Sequence, residues 1–544
     1  MFYKSWLLNI CNHRFTCKIY QRCRRFSISS HLWNVRVRFA PSPTGFLHIG
    51  GLRTALLNYL FVKSQKVGGQ FIIRIDDTDQ SRIVPGAVEN LLNQLKWAGI
   101  TPDEGPGIGG DFGPYVQSER LDIYEKYASQ LLDNGIAYKC FCSERRLEIM
   151  RRDQMQRKER SRYDNRCRNL SKSEIEEKLD LGMPYVLRLK LQNDIRAFED
   201  ILNGEIKHDV ASIEGDPVIY KSDRYPTYHL ANVVDDHLMK ITHVLRGQEW
   251  MMSTVKHIML YEAFGWKPPQ YAHLPLLLNE DGRKLSKRQG DVYVEQYREG
   301  GYHAASILNF LAHYGAGFTE SSGIIFGDEV ATPTKVLEIM AKEFLMEKVG
   351  VNNSIVSFSK LGEYNSTILK HLLSDEKSRN CMIEELRKYV WEKYGESNIL
   401  NKMFNDEQKN EYINRVLSIR KNHITVLKDL ISEEYNYVWI RPSIPHEEIQ
   451  EDMMKFVLNV CSFLEDINVD GLSKEVITPR IRDIQAKAKL KIAPAMTLLR
   501  YLLSGRKQGP AVAEIICILG KTESVARLKK IQQFHNKSPS LAKI

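Results

Sequence analysis

Acidic residues are missing from the N-terminal part of the chain. The first one is Asp76, whereas the first 33 residues hold six lysines and arginines. A basic, acid-free segment with many apolar and hydroxyl side chains is typical of a mitochondrial transit peptide. We therefore predict a transit peptide over 1–33 and a protein of the mitochondrial matrix. A disordered basic tail that binds RNA is the alternative for the same composition.

Long apolar runs and closely spaced cysteines are also missing. No stretch reaches the roughly 18 uncharged apolar residues of a membrane helix, so we expect no membrane partner. The nine cysteines are scattered over 544 residues, which indicates reduced thiols. Without the N-terminal segment the net charge of +10 falls to about +4, so bulk basicity is weak evidence for nucleic-acid binding. A chain of this length predicts several domains.

The first folded unit is predicted just after this segment. The letters NVRVRFA alternate apolar and polar side chains, which predicts a strand. Apolar residues spaced by three and four predict an amphipathic helix from Ile49 to about Lys63, and the letters QFIIRI predict a second strand that ends at Asp76. These elements form one βαβ unit, so we predict an α/β fold with a parallel sheet.

The glycine-rich turn before the helix is a candidate anion site. A helix start leaves backbone N–H groups unpaired and carries partial positive charge, which suits a phosphate. Gly45, Gly50 and Gly51 would let a ligand approach the backbone, and His48 could donate to a phosphate oxygen. A purely structural turn explains the same residues.

The strand ends offer a second candidate site. Arg38 and Ala40 share one face of the first strand, Ser42 follows just beyond it, and Asp76 reaches the same sheet edge. An arginine and a carboxylate there could bind the two charges of an amino acid, although a structural ion pair is the alternative.

A cationic loop is predicted far along the chain. The letters KLSKR at 284–288 follow NEDGR and precede a glycine, which suits a departing polyphosphate. A solvated charged surface is the alternative.

Taken together, these motifs resemble a known family. PSPTGFLHIGG and KLSKR look like the HIGH and KMSKS signatures of class I aminoacyl-tRNA synthetases. The ordered blocks RIDDTDQSR, YPTYHLANVVDDH, THVLRGQEW and LPLLLNEDGRKLSKRQG are similar to the glutamyl-tRNA synthetase family in particular. The likeness runs from Arg38 to Gly290 and continues more weakly toward the C-terminus.

This resemblance implies roles for individual residues. The implied catalytic residues are His48, Lys284 and Lys287. The implied glutamate-binding residues are Arg38, Ala40, Ser42, Asp76, Tyr228, Asn232 and Arg246. The implied ATP-binding residues are His48, Gly50, Gly51, Glu249, Trp250, Lys284, Leu285, Ser286, Lys287 and Arg288. ATP would bind as a substrate with Mg²⁺, and two arginines suit the two carboxylates of glutamate.

Two features differ from the family pattern. The family usually has glutamate where Asp76 stands, so this side chain is one methylene shorter. Cys140, Cys142 and Cys167 lie where some bacterial relatives bind zinc, but no fourth ligand is obvious beyond Tyr163. We therefore expect free cysteines and no bound metal.

The resemblance also implies the domain order. We expect a Rossmann-like parallel-sheet catalytic domain with an α+β insertion, followed by an all-α C-terminal anticodon-binding region. The expected boundaries are catalytic halves at 34–125 and 223–275, an acceptor-binding insertion at 126–222, a KMSKS-loop and stem-contact helical domain at 276–370, and a helical anticodon-binding domain at 371–544.

The implied function is a monomeric ligase that joins glutamate to tRNA(Glu) with ATP. Whether tRNA(Gln) is also charged stays open. A glutaminyl-type synthetase is disfavoured by the sequence before the first signature and by the helical C-terminal third. A tRNA-modifying relative would lack that helical third. An inactive RNA-binding or splicing factor is the remaining alternative, which the intact HIGG and KLSKR letters disfavour.

Overall fold

The computed structural model describes residues 34–192, 195–285, 293–318, 323–403, 405–444, 449–468 and 472–532. The predicted transit peptide at 1–33 and three residues of the cationic loop, Ser286, Lys287 and Arg288, lie outside the described residues. Within the described ranges, no helix is both long and apolar enough to cross a membrane.

The strands form one large sheet and two small ones. They are β1 (Val35–Phe39), β2 (Gly69–Ile73), β3 (Ala137–Cys140), β4 (Val186–Leu189), β5 (Arg196–Asp200), β6 (Gly204–His208), β7 (Val218–Tyr220), β8 (His243–Gly247), β9 (Gln270–Leu274), β10 (Leu277–Leu278) and β11 (Ser354–Ile355). The large sheet has the order β2-β1-β8-β9-β5-β6. Its first five strands are parallel, and β6 returns antiparallel to β5.

Helices accompany the sheets and then make up most of the C-terminal part. The helices up to the end of the large sheet are α1 (Ile49–Lys63), α2 (Ala87–Trp97), α3 (Leu121–Asp133), α4 (Glu144–Gln156), α5 (Lys172–Asp180), α6 (Val210–Ile213), α7 (Tyr228–Leu238) and α8 (Met251–Ala263). The later ones are α9 (Val294–Glu299), α10 (Ala304–His313), α11 (Pro333–Glu343), α12 (Phe358–Ser374), α13 (Glu376–Tyr394), α14 (Asp406–Arg420), α15 (Asn436–Trp439), α16 (Glu451–Asp466), α17 (Lys474–Lys487), α18 (Ile492–Ser504) and α19 (Val512–Leu528).

The first βαβ unit forms at the predicted place. Val37 of β1 is fully buried, and α1 begins and ends where the apolar spacing places it. However, α1 is not simply amphipathic, because Arg53 and Asn58 are also buried in it. The reason is that α11 packs against α1 in addition to the sheet, so the helix lies inside the core.

The second strand is shorter than predicted. β2 ends at Ile73, which pairs with Phe39, the last residue of β1; beyond it, Ile75 N–H donates to Tyr115 O at 2.9 Å. Asp76 nevertheless lies beside the end of β1, since its N–H donates to Pro41 O at 3.1 Å. The predicted proximity of Asp76 to the first strand is therefore present in the structure.

The middle segment contributes to two sheets. β3, β4 and β7 form a separate three-stranded antiparallel sheet, as an α+β insertion would. The hairpin of β5 and β6 instead extends the catalytic sheet, because Asp200 of β5 pairs with Tyr271 of β9. Two strands of the insertion expected at 126–222 thus belong to the large catalytic sheet. The boundaries expected from the sequence assign both strands to the insertion.

The C-terminal helices have a core of their own. Trp439, Phe456 and Leu499 are fully buried in a hydrophobic cluster that extends from α12 to the last described helix. The prediction of a Rossmann-like sheet domain followed by an all-α C-terminal region is confirmed.

Candidate active site

The glycine-rich turn is shaped by a histidine cap. His48 is the N-cap of α1, and its Nδ1 accepts a hydrogen bond from Gly51 N–H at 3.0 Å. A Cβ on Gly50 would lie 3.1 Å from the His48 ring, and one on Gly51 would lie 3.0 Å from Leu47 Cδ1. Gly50 therefore makes room for the ring of the cap and Gly51 for the Leu47 side chain, roles that the sequence analysis missed. Because Nδ1 accepts, a neutral His48 ring carries its proton on Nε2.

Arg38 lies at the carboxyl end of β1 and is almost completely buried. Its guanidinium donates to the two carboxylate oxygens of Asp236 at 3.0 and 3.2 Å and to Asn232 Oδ1 at 2.9 Å. Burial by itself lowers the pKa of Arg38, but the charge and hydrogen bonds of Asp236, together with Tyr228, raise it above its usual value. The structure thus brings Arg38 and Asn232 together, and their contact with glutamate stays a prediction.

A second arginine extends this buried network. Arg74 is fully buried and donates to Asp76 at 2.7 and 3.2 Å and to Asp236 Oδ1 at 2.7 Å. Burial would raise the pKa of Asp236, yet Arg38 and Arg74 together lower it, so Asp236 is an ionised bridge between them. The sequence analysis missed Arg74 and Asp236, although the quoted letters RIDD and VVDDH contain both.

Asp76 faces Arg74 directly. Burial raises the pKa of Asp76 to about 6, because desolvation of the carboxylate outweighs the stabilising charge and hydrogen bonds of Arg74. The short side chain of Asp76 therefore has an arginine partner within the protein. Whether it also contacts the substrate amino group stays a prediction.

Arg246, on β8, has surroundings of a different kind. It is 5% exposed, and its N–H groups point to uncharged acceptors. These are His273 Nε2 at 3.2 Å, Tyr228 Oη at 3.0 Å, His257 Nδ1 at 3.2 Å, Thr254 Oγ1 at 2.7 Å and Trp250 O at 3.3 Å. Among the described residues, no carboxylate forms an ion pair with Arg246. Such a buried, uncompensated cation suits a carboxylate ligand.

The residues assigned to ATP lie on more exposed elements. Trp250 is 39% exposed and packs its ring 4.2 Å from that of Tyr228. Lys284 Nζ donates to Glu249 Oε1 at 2.8 Å, and both side chains are open to solvent. Leu285 donates its N–H to Leu277 O at 3.4 Å. Near the sheet edge, Ala40 is half-buried and Ser42 is exposed.

The described residues on the two sides of the cationic loop contact different parts of the site. At one end, Lys284 pairs with Glu249. At the other end, Tyr293 forms an antiparallel bridge with His48, and Val294 N–H donates to Leu47 O at 3.0 Å. The segment from Lys284 to Val294 therefore begins beside Glu249 and ends beside the HIGG turn.

The three cysteines of the middle segment converge with a tyrosine. Cys142 Sγ lies 3.5 Å from Cys167 Sγ, and Tyr163 Oη lies 3.2 Å from Cys140 Sγ. The thiol sulfurs all lie within 4.8 Å of one another. Three cysteine sulfurs fit the ligand chemistry of zinc, and Tyr163 Oη is the oxygen beside them. The expectation that no metal binds here stays a prediction.

The fold and the site together define a class. A parallel sheet with buried arginines at its strand ends, a capped helix start and a lysine-bearing loop are the parts of a nucleotide-using catalytic domain. A helical region follows it.

Comparisons with known proteins identify the family. The family described as tRNA synthetases class I (E and Q), catalytic domain, matches residues 34–353, and the anticodon binding domain family matches 382–532. The glutamate–tRNA ligase of Clostridioides difficile (strain 630) is 37% identical over 92% of this chain and 99% of its own length. That of Chlorobium phaeovibrioides is 40% identical over 91% and 94%.

Solved structures agree with these sequence matches. A crystal structure of a glutamate tRNA ligase from Elizabethkingia meningosepticum, in complex with its amino acid, has a TM-score of 0.76 at 32% identity, covering 92% of this chain and 99% of that one. The glutamate-tRNA synthetase of Elizabethkingia anophelis has a TM-score of 0.75 at 33% identity, covering 92% and 100%. The chain therefore belongs to the class I glutamate–tRNA ligase family, and it is an ATP-dependent ligase.

Proposed function

We propose that this protein joins L-glutamate to the 3′ end of tRNA(Glu) in mitochondria. The observation that carries the proposal is Arg246, a buried arginine without a carboxylate partner among the described residues, at the strand end next to Arg38. Together with the family membership, this site supports an amino acid that carries two carboxylates.

The reaction proceeds in two steps. The α-carboxylate of glutamate attacks the α-phosphate of Mg²⁺-bound ATP, which gives glutamyl-adenylate and releases pyrophosphate. A ribose hydroxyl of the terminal adenosine of the tRNA then attacks the mixed anhydride, and AMP leaves. No protein nucleophile is needed, so the chain positions its substrates and neutralises developing charge.

Individual residues divide this work. Arg38, Asn232, Tyr228 and Arg246 bind glutamate together with Ala40 and Ser42, and Asp76 faces its ammonium group. His48, Gly50 and Gly51 receive the phosphates at the start of α1, where backbone N–H groups and the helix dipole favour an anion. Glu249 and Trp250 lie against the nucleotide, and the 284–288 loop, with Lys284 and Lys287, stabilises the triphosphate as it breaks.

The partners and the location are part of the same proposal. The 371–544 region binds the anticodon, the middle segment binds the acceptor end, and the enzyme works as a monomer. Residues 1–33 direct it to the mitochondrial matrix. A fusion of 1–33 to a fluorescent protein tests this: mitochondrial import is expected, and a diffuse signal contradicts it.

A pyrophosphate exchange assay tests the activity. With glutamate, ATP and tRNA(Glu) we expect exchange, and its absence even with tRNA would favour the alternative of an inactive RNA-binding protein. Lys287→Ala should depress exchange while tRNA affinity stays nearly unchanged, with the exposed Lys267→Ala as the matched control. Equal loss of exchange and of tRNA affinity contradicts the role of Lys287.

The same preparation tests tRNA choice. Charging assays with purified tRNA(Glu) and tRNA(Gln) show whether the enzyme also glutamylates the second, as the first step of an indirect route to glutaminyl-tRNA.

A further inference from the structure

Arg246 is the buried cation of the candidate site whose contacts are all uncharged, and two of them are histidine rings. We propose that His273, held by Asp200, is a positioning residue that fixes Arg246 for a carboxylate of the amino-acid substrate. This inference rests on the proposed function and adds residues that the family resemblance does not assign.

The hydrogen bonds of Asp200 define the tautomer of His273. Asp200 Oδ2 accepts from His273 N–H at 3.0 Å and lies 2.7 Å from His273 Nδ1. Burial would raise the pKa of Asp200, but its hydrogen bond with His273 and the neighbouring groups lower it, so the carboxylate is ionised and only accepts. The proton of His273 is therefore on Nδ1, and Nε2 is left as an acceptor.

That acceptor faces the guanidinium. Arg246 Nε–H donates to His273 Nε2 at 3.2 Å, and the Thr254 hydroxyl lies 3.0 Å from the same nitrogen. Burial lowers the pKa of His273, which keeps the ring neutral beside the cation. A neutral Nε2 thus fixes the plane of the guanidinium without cancelling its charge.

The carboxylate that fixes His273 is itself fixed by its own strand end. Asp200 Oδ1 accepts from the backbone N–H groups of Leu202 and Asn203 at 3.1 and 2.9 Å, and from Asn203 Nδ2 at 2.7 Å. Asp200 is 1% exposed at the end of β5, the strand that the middle segment adds to the catalytic sheet. The hairpin of β5 and β6 thus places a buried carboxylate next to His273, the partner of Arg246.

The opposite side of Arg246 follows the same rule. Arg246 Nη1 donates to His257 Nδ1 at 3.2 Å, so the proton of a neutral His257 is on Nε2, which faces His229 Nδ1 at 3.2 Å. Burial and the nearby Arg246 lower the pKa of His257 well below its usual range. Lys256, beside His257 in sequence, is paired with Glu214. Arg246 is therefore oriented on two sides by uncharged rings.

The consequence is a division between orientation and charge. A carboxylate in place of His273 would orient Arg246 equally well, but it would satisfy the cation before substrate binds, as Asp236 does for Arg38. Neutral acceptors orient the guanidinium of Arg246 and leave its positive charge for a substrate carboxylate. Loss of the acceptor should weaken glutamate binding while leaving ATP binding intact.

Two variants of His273 test this. His273→Gln can keep an acceptor near the position of Nε2, whereas His273→Leu has a similar volume without one. Because a hydrogen bond to a charged group contributes about 1.5 kcal/mol or more, we expect His273→Leu to raise the KM for glutamate about tenfold. The KM for ATP should change less than about twofold, and His273→Gln should restore most of the glutamate affinity.

The matched control is His243→Leu. His243 is a histidine on β8 whose ring contacts Thr242 and Phe61 rather than Arg246. It reports the cost of removing a histidine from the same sheet, and we expect no selective change in the KM for glutamate.

Stabilisation of the protein by L-glutamate in a thermal unfolding assay is measured in parallel, because it does not depend on turnover. If His273→Gln and His273→Leu raise both KM values alike, or leave the KM for glutamate unchanged, His273 is structural only and the inference is wrong. If the wild type gives no exchange but glutamate still stabilises it, the proposed function fails, while the shifts of the two variants still decide the inference. A wild type without any response to glutamate overturns both.

Discussion

The amino-acid side and the ATP side of the candidate site are built on opposite principles. On the amino-acid side, Arg38 and Arg74 are buried, and both pair with the buried Asp236. On the ATP side, Lys284 and Glu249 form an ion pair whose side chains are 57% and 38% exposed. A buried network is costly to change once formed, whereas an exposed pair exchanges its partner for a phosphate at little cost.

The amino-acid side also contains two different arginines on neighbouring strands. Arg38 has a carboxylate partner, Asp236, and Arg246 has only neutral acceptors among the described residues. Both arginines belong to the proposed glutamate site, but the charge of Arg38 is balanced within the protein, whereas the charge of Arg246 is left for a ligand. The comparison therefore predicts that substitutions affect stability most at Asp236, affinity most at Arg246, and neither strongly at Glu249 of the exposed pair.

The largest effect is expected for Asp236→Asn. Removing this charge leaves Arg38 and Arg74 buried without their shared partner, which should lower the free energy of unfolding by about 3–5 kcal/mol. Calorimetry measures this as a lower unfolding temperature of the sheet domain, with the separate C-terminal core as an internal reference. Asp223→Asn is the control, since it removes a carboxylate paired with Lys221 at the surface. Equal shifts for the two variants would contradict the scaffold role.

The next effect concerns Arg246→Gln, which removes the cation and keeps a polar side chain. Because truncating one partner of a buried charge pair costs about 2–5 kcal/mol, we expect the KM for glutamate to rise about 30-fold or more. Arg246→Lys keeps the charge but not the planar guanidinium, so the KM for glutamate should rise less. Steady-state pyrophosphate exchange at saturating ATP measures both, and similar losses in the two variants would show that the charge does not matter.

The sequence predicts much of the fold because its signals are local. The alternation in NVRVRFA and the apolar spacing after His48 place β1 and α1 correctly, and the expected nearness of Asp76 to the end of β1 follows from parallel strands. The predicted end of β2 was wrong by three residues, because its partner strand β1 ends at Phe39, and the letters of β2 alone do not show where its partner ends.

The supporting residues of the site were missed for a different reason. Arg74 and Asp236 are 162 positions apart in the chain, and Asp200 and His273 are 73 apart. The contact of Asp200 with His273 depends on the strand order, in which a hairpin of the middle segment enters the catalytic sheet, and the contact of Arg74 with Asp236 joins the end of β2 to α7. Composition and periodicity describe one element at a time, so they contain no information about these pairings.

Protonation of Asp76 should make the KM for glutamate depend on pH. Its pKa is raised from 3.8 to about 6, so the carboxylate gains a proton as the pH falls through about 6. If the ionised form faces the substrate ammonium, the KM for glutamate should then rise about tenfold per pH unit below that value. Asp76→Asn should have a high KM that is independent of pH in this interval, and Asp79→Asn, at an exposed neighbour, is the control.

Stability should change with pH in the opposite direction. Because the folded-state pKa lies above the unfolded value, the folded protein binds this proton more tightly, and the contribution of Asp76 to stability increases as the pH falls from about 6 toward about 4. As the pH falls, the affinity for glutamate should therefore decrease while the contribution of Asp76 to stability increases. Acid unfolding would lower both, so the two causes can be distinguished. A KM for glutamate that stays flat across pH 6 would contradict the assignment of Asp76 to the ammonium group.

The smallest effect is expected for Glu249→Gln, on the exposed side. An ion pair this open to solvent contributes less than about 1 kcal/mol, so the free energy of unfolding should stay within that range. The KM for ATP should change by no more than about fivefold, the equivalent of the same energy, and the change should diminish at high ionic strength because salt screens exposed charges. Thermal unfolding and ATP titrations at two salt concentrations measure this. A larger or salt-independent change would mean that Glu249 fixes Lys284 as firmly as Asp236 fixes Arg38, and the two sides of the site would then follow the same principle.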